Sequence, residues 1–210
     1  DYALAGVCTL ITLDAGGICI EARLAGCGIA SRPVRLAAAE DPLRGVLVSI
    51  GLSVDAGTAW YLPFGHQQPF ELTFEGEGSG EVTNLPALET SAMAGLKAVL
   101  EDPGVEKVGH DLKRTALTLS TSGVTLVGSA FDVMVASYVL DPGRRSHELT
   151  TLSMENFSHK PIAYADVVGS GRNKVPFPEA PIERARNFVA EEADLSLELA
   201  QKLQARLDEQ

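Results

Sequence analysis

Residues 107–124, KVGHDLKRTALTLSTSGV, combine a short strand pattern with a helix pattern and so indicate the fold class. KVGHDL (107–112) predicts a strand that runs into a helix over residues 111–122. Asp111 suits an N-cap, because its carboxylate can accept a backbone N–H near the positive end of the helix dipole. Gly123 suits the end of that helix. A strand set among helices is typical of an α/β domain.

Strand patterns dominate the chain upstream of this stretch. Strands are predicted over residues 6–13, 27–36, 45–54 and 58–64. Residues 55–57 predict a hairpin turn between the last two strands, and residues 15–25 predict a short helix with Asp14 as its N-cap. Residues 65–84 predict a loop. Because its glycines stand among acidic residues, this segment is unsuited to be a phosphate-binding glycine-rich loop.

Helix patterns dominate the chain downstream. Helices are predicted over residues 85–102, 131–141, 147–157 and 182–208, with a loop over 169–181. Asp132 suits the N-cap of the second of these helices. No linker divides the chain, so we expect one domain over residues 1–210. The chain begins at Asp1, which suggests a segment excised from a longer protein or a processed chain.

The composition argues against several classes of protein. The chain has 210 residues, 45% of them hydrophobic, and a net charge of −11, which is opposite to the basic footprint of most nucleic-acid binding proteins. Its three cysteines include no CxxC pair, so neither a disulfide framework nor a zinc site is expected. We therefore expect a reducing, cytosolic compartment. No apolar run is long enough to span a membrane.

Four strings together resemble the 3′–5′ exonuclease domain of bacterial family A DNA polymerases. Residues 107–124 resemble its second exonuclease motif, and ARNFVAEEADLSLEL (185–199) resembles its third. AFDVMVASYVLDPGRRSHELTTLS (130–153) is similar to the stretch after the second motif, and LVSIGLSVDAGTAWYLPFGH (47–66) to the family's second and third strands. Ribonuclease D is similar in the second half.

The resemblance implies an RNase H-like (DnaQ-like exonuclease) fold, with a five-stranded mixed sheet flanked by helices. It also implies an activity in which four carboxylates hold two Mg²⁺ or Mn²⁺ ions. These ions bind the scissile phosphate, activate a water molecule and stabilise the leaving oxygen. A tyrosine of the third motif helps to place the water.

The positions that match the family's catalytic residues have lost most of their carboxylates. A gapless alignment puts the Asp-x-Glu of the first motif at Val34 and Leu36, and the aspartate of the second motif at Thr115. The Tyr-x-x-x-Asp of the third motif becomes Phe188 and Glu192. One carboxylate of four remains. Because magnesium gives up its bound waters reluctantly, so few protein ligands would hold the ion only weakly. We expect no metal or cofactor, with Glu192 as the one weak candidate ligand.

Some alternatives remain open for this site. Residues 188, 192, 195, 199 and 203 form one mostly apolar helical stripe, which predicts that Glu192 faces the sheet. A rearranged metal site would need Glu192 to converge with Asp111, Glu191 or Asp194 within about 4–6 Å. The same stripe argues against Asp194. The scattered histidines, none in a metal-binding pair, suit hydrogen-bonding or surface roles; they are His66, His110, His147 and His159.

Compact basic groups are few. The candidates for nucleic-acid contact are Lys113, Arg114, Arg172 and Lys174. Arg144 and Arg145 suit either a solvated loop or contact with phosphate or a neighbouring polymerase domain.

We expect a vestigial, inactive exonuclease domain that serves as a structural module in DNA replication and repair. Its partner would be the polymerase domain of the same chain, in the bacterial cytoplasm at the nucleoid. Binding of DNA by this domain alone would be weak or absent. Two alternatives are a residual or rearranged metal-dependent 3′–5′ exonuclease and a ribonuclease D-like nucleic-acid-binding module.

Overall fold

The chain divides into two compact units, Asp1–Gly45 and Val46–Gln210. The computed structural model describes the backbone of residues 6–13, 19–27, 34–35, 46–67, 83–171 and 174–209, and side chains from residue 46 onward within those ranges. A single domain over residues 1–210 stays a prediction. None of the helices in the described ranges is long and apolar enough to cross a membrane.

The first unit contains a three-stranded antiparallel sheet in the order β1-β2-β3. Its strands are β1 (Gly6–Leu13), β2 (Cys19–Cys27) and β3 (Val34–Arg35). The helix predicted over residues 15–25 is wrong, because its second part belongs to β2. The sequence from Ile20 to Leu24 alternates apolar and polar residues, which is typical of a strand.

The second unit begins with the predicted hairpin. The strands β4 (Ser49–Asp55) and β5 (Thr58–Pro63) pair antiparallel, with Gly51 opposite Tyr61. Gly57 in the turn has φ 80°, a conformation that glycine adopts without steric cost. Asp194, in the C-terminal helix, accepts hydrogen bonds from the Gly57 N–H at 2.8 Å and from the Ser53 hydroxyl at 3.4 Å. The hairpin is therefore tied to that helix.

A second sheet of this unit is short and parallel. It pairs β6 (Lys107–Gly109) with β7 (Ser129–Asp132). The helix predicted over residues 85–102 is shorter than expected: α1 spans Ala94–Glu101 after a 3-10 turn at Ser91–Met93. The Thr90 hydroxyl donates to the Ala87 carbonyl, a local turn that competes with helix at this end.

The remaining helices follow the predicted order. They are α2 (Leu112–Ser120), α3 (Val133–Leu140), α4 (Leu149–Phe157), α5 (Tyr164–Val168) and α6 (Ile182–Asp208). The bounds of α6 agree with the prediction, whereas α5 was not predicted. Helix α6 packs against α3, α4, β4, β5 and β6, and so organises the second unit.

The hydrophobic core lies around α6. The largest cluster joins α3, α4 and α6 through Val133, Ala136, Leu149, Leu152, Leu195, Leu199, Ala200 and Leu203. The α/β class is confirmed. The single five-stranded sheet is not, because the described strands form one sheet of three strands and two sheets of two.

Candidate functional site

The start of α2, where the second motif lies, is held by a left-handed residue. Asp111 adopts φ 55° and ψ 55°, and its carboxylate accepts the Arg114 N–H at 3.3 Å. The side chain of Arg114 also lies 3.5 Å from the Asp111 carboxylate. The predicted cap is therefore confirmed, and Asp111 is engaged at its own helix end.

Asp132 holds the N-termini of two helices at once. Its Oδ1 accepts N–H groups of Met134 at 2.9 Å and Val135 at 3.3 Å, which confirms the predicted cap of α3. The same carboxylate also reaches α2: the N–H of Leu112 donates to Oδ2 at 2.8 Å and that of Asp111 to Oδ1 at 3.3 Å. One charge thus neutralises the positive ends of two helix dipoles and fixes where α2 begins.

Thr115 is the residue predicted to stand where the family has its second-motif aspartate. It is exposed on α2, and its hydroxyl donates to the Asp111 carbonyl at 3.4 Å. A groove of about 350 Å³ runs beside it. The lining is largely apolar, with Leu47, Ile50 and Leu52 on the β4 side and Leu112 on α2. Such a surface offers no carboxylate to a divalent ion.

Phe188 is the residue predicted to stand where the family has its third-motif tyrosine. It is half-buried and packs against a small core formed by Val167, Val168, Ala180 and Ala185. Its ring centroid lies 6.0 Å from that of Tyr164 in an edge-on arrangement. This aromatic contact suits packing, and the ring carries no hydroxyl to orient water.

Glu192 is less buried than the predicted apolar stripe implies. Leu195 and Leu199 of that stripe are buried, but Glu192 is exposed at its edge. The reason lies in how α6 meets β4. Gly51 of β4 faces Val189 and Ala193 rather than the row that contains Glu192. The residues of α6 that meet β4 are therefore shifted by one position from the predicted stripe.

The carboxyl of Glu192 nevertheless sits in a crowded environment. Burial by surrounding protein atoms raises the pKa of Glu192 to about 7, the Arg114 guanidinium acts in the opposite direction, and Glu191 raises the pKa further. Because the residue also remains exposed to water, solvent screens part of this effect on stability. Near neutral pH the carboxyl group of Glu192 is therefore only partly charged.

Replacement of Glu192 by glutamine should change how stability depends on pH. The folded-state pKa lies above the value of 4.5 for an unperturbed group, so the wild-type chain loses stability as the pH rises from about 4.5 through 7. We expect Glu192→Gln to match wild type near pH 4.5 and to be more stable by about 1 kcal/mol at pH 8. Urea unfolding at the two pH values measures this.

The matched variant is Arg114→Gln. Removal of the cation raises the pKa of Glu192 further, so this variant should lose more stability than wild type between pH 4.5 and pH 8. A Glu192→Gln protein less stable than wild type at pH 8 would contradict the assignment.

The carboxylates of Glu191 and Asp194 form hydrogen bonds with groups other than Glu192. Glu191 accepts from His159 Nε2 at 2.8 Å and from the Ile162 N–H at 2.7 Å. Glu191, Asp194 and His159 line a separate cleft of about 370 Å³ that Glu192 does not line. Across the side chains that are described, no three His, Cys, Asp or Glu residues form a group suited to a metal ion.

The histidines make hydrogen bonds within the domain. His66 Nδ1 lies 2.6 Å from the Pro178 carbonyl oxygen, and His110 Nε2 lies 2.8 Å from the carbonyl oxygen of His147. His147 Nδ1 contacts the Ser137 hydroxyl at 2.9 Å.

The basic candidates that the structure describes lie at the surface, and two of them, Lys113 and Arg114, are neighbours on α2. Lys113, Arg114 and Lys174 are exposed, whereas Arg172 lies outside the described residues. Arg144 forms ion pairs with Glu155 and, at 3.8 Å, with Asp141, so it is engaged within the domain. Leu36 also lies outside the described residues, and Val34 is placed in β3 by its backbone alone.

Residues 77–199 match the family model described as the ribonuclease H-like domain of DNA polymerase I. This chain belongs to that family. A DNA polymerase I from Rhizobium leguminosarum is 43% identical over 116 residues, which are 55% of this chain and 11% of the relative. One from Pseudomonas aeruginosa is 31% identical over 170 residues, 80% of this chain and 17% of the relative. The chain thus spans less than a fifth of the length of either relative.

A solved structure also matches part of the chain. It is described as the POL domain of Pol1 from M. smegmatis in complex with DNA primer-template and dNTP. It has 26% identity and a TM-score of 0.45, covering 57% of this chain and 18% of that one.

The assignment of the motif positions of this DNA polymerase I domain stays a prediction, and two features of the site were not predicted from the sequence. The second role of Asp132, at α2, joins residues twenty positions apart and has no local signal. Glu191 is engaged by the loop before α5, through His159 and Ile162, and Asp194 by the hairpin of β4 and β5. Neither long-range contact has a local signal in the sequence.

Proposed function

We propose that this domain is a catalytically inactive relative of the 3′–5′ exonuclease and acts as a structural module of a DNA polymerase I. The observation that carries the proposal is that few carboxylates remain at the site and that those nearby bind other groups. At the described motif positions only Glu192 keeps one, and Asp111, Glu191 and Asp194 each bind other groups.

The family's two-metal chemistry does not fit these residues. Two divalent ions side by side need several anionic ligands to offset their mutual repulsion. The hydroxyl of Thr115 bonds to the Asp111 carbonyl, and the carboxyl of Glu192 has a raised pKa that weakens it as a ligand.

We infer the role in DNA replication and repair from the family to which the chain belongs. We place the domain beside a polymerase domain of the same polypeptide, in the bacterial cytoplasm at the nucleoid. Lys113 and Arg114 offer at most a small cationic patch, so contact of this domain with DNA would be weak and salt-sensitive.

A nuclease assay tests the proposal directly. We expect the purified chain to leave a 5′-labelled single-stranded DNA intact with Mg²⁺ or Mn²⁺, while an active 3′–5′ exonuclease degrades it in parallel. Calorimetry with Mn²⁺ should detect no site. Degradation from the 3′ end that disappears in Glu192→Ala would overturn the proposal and show a site rebuilt around that glutamate.

A further inference from the structure

We propose that the outward face of α3, formed by Val135, Tyr138 and Val139, packs against the polymerase part of the same polypeptide. The inference rests on the proposed structural role and names the surface that would perform it. We call these three residues the α3 face.

The composition of α3 shows why this face needs a partner. The helix reads VMVASYVL and has no charged residue. Its inward side chains, Val133, Ala136 and Ser137, are buried against the domain core. The three residues of the α3 face are 52%, 52% and 60% exposed. A helix that is apolar all round is ordinarily covered on both sides, and a contiguous apolar patch marks an interaction surface.

The side chain of Tyr138 is fixed by a ring contact within the domain. Its ring stacks on the His147 imidazole, with centroids 3.5 Å apart and planes 22° from parallel. His147 is itself fixed by the Ser137 hydroxyl and, through its backbone carbonyl, by His110. A tyrosine whose conformation is already fixed loses little entropy on binding, and fixed aromatic side chains are frequent anchors of interfaces.

The chemistry of the face favours a protein domain over DNA. No cation lies in it, whereas binding of a phosphate backbone needs lysine or arginine. The relatives are DNA polymerases of which this chain matches only 11–17%, so most of such a protein lies outside the matched region. Domains of one polypeptide commonly meet through modest interfaces of partly apolar character. The uncharged α3 face fits a partner of that kind.

Radical footprinting with mass spectrometry can test the surface, with Tyr164 as a matched control. Tyr138 is 52% exposed and Tyr164 is 49% exposed, so both should be modified at similar rates in the 210-residue chain. In the longer polymerase polypeptide we expect modification of Tyr138 to fall about fivefold, while that of Tyr164 stays within about twofold, because an interface excludes solvent locally. Equal modification of Tyr138 in both proteins would overturn the proposal.

A pair of substitutions separates docking from folding. Val139 and Val99 are both exposed, at 60% and 49%, so Val139→Asp and Val99→Asp should each shift the stability of the 210-residue chain by about 0.5 kcal/mol or less. In the longer polypeptide, Val139→Asp alone should restore modification of Tyr138. Concentration-dependent dimerisation of the 210-residue chain that Val139→Asp abolishes would instead assign the face to a second copy.

The two proposals fail in different experiments. DNA degradation with Tyr138 protected would remove the claim of inactivity and leave the α3 face as an interface. An unprotected Tyr138 in an inactive domain would remove the interface alone.

Discussion

Asp132→Ala is expected to lower the free energy of unfolding by about 2–4 kcal/mol, because it leaves four backbone N–H groups at two helix ends without their acceptor. A single N-cap contributes about 1 kcal/mol, and here one side chain serves two helices. The loss is a large share of the 5–15 kcal/mol that stabilises a typical domain. Urea unfolding followed by circular dichroism measures it.

Two further variants make the Asp132 prediction specific. Asp132→Asn keeps one acceptor oxygen but sets an amide group against N–H donors, so its cost should lie between those of wild type and alanine. Asp166→Ala removes one exposed hydrogen bond, to the Ala163 N–H, and should cost about 0.5–1 kcal/mol. If Asp132→Ala cost no more than Asp166→Ala, the shared cap would not matter for stability.

Gly51→Ala should destabilise the domain by about 2–3 kcal/mol, because β4 and α6 approach each other too closely for a side chain. A Cβ at this position would lie 2.6 Å from the Val189 carbonyl oxygen and 2.8 Å from Val189 Cγ1. The oxygen belongs to the backbone of a long helix, so relief requires movement of α6 itself. That movement would also shift Glu192, three residues further along the helix.

The control for Gly51 is Gly95→Ala in α1. A Cβ at Gly95 meets no atom within 4 Å, and alanine favours helix over glycine by about 0.8–1 kcal/mol, so this variant should be more stable than wild type. Opposite signs for the two substitutions in the same thermal and urea unfolding measurements are the expected result. A Gly51→Ala domain as stable as wild type would show that α6 does not pack against β4 as described.

Much of the second unit could be predicted from local patterns. The hairpin of β4 and β5, the strand before α2 and the full length of α6 all follow from periodicity and turn residues within a few positions of each other. The strand β2 was missed, because Asp14 suggested a helix cap where the following residues alternate as in a strand. Local signals conflicted there, and strand pairing decided.

The motif positions were predicted from the resemblance and from spacing along a helix, which can be preserved when residues change. Thr115, Phe188 and Glu192 were assigned in this way, and their chemical types predict that two metals would lack ligands. The predicted burial of Glu192 was too strong, because it assumed which row of α6 meets the sheet. That choice depends on Gly51, more than a hundred residues away.

The sequence by itself predicted the family, which the family model confirms, and the order of most elements. The loss of three of the four catalytic carboxylates stays a prediction from the sequence. These are properties of residue identity and short-range spacing, which the chain carries whatever it packs against. The tertiary structure alone decided that Asp132 caps two helices, that Glu191 and Asp194 bind other groups than Glu192, and that α3 leaves one apolar face open. Each depends on contacts between distant segments, because the partner of a side chain is fixed only when helices and strands pack together.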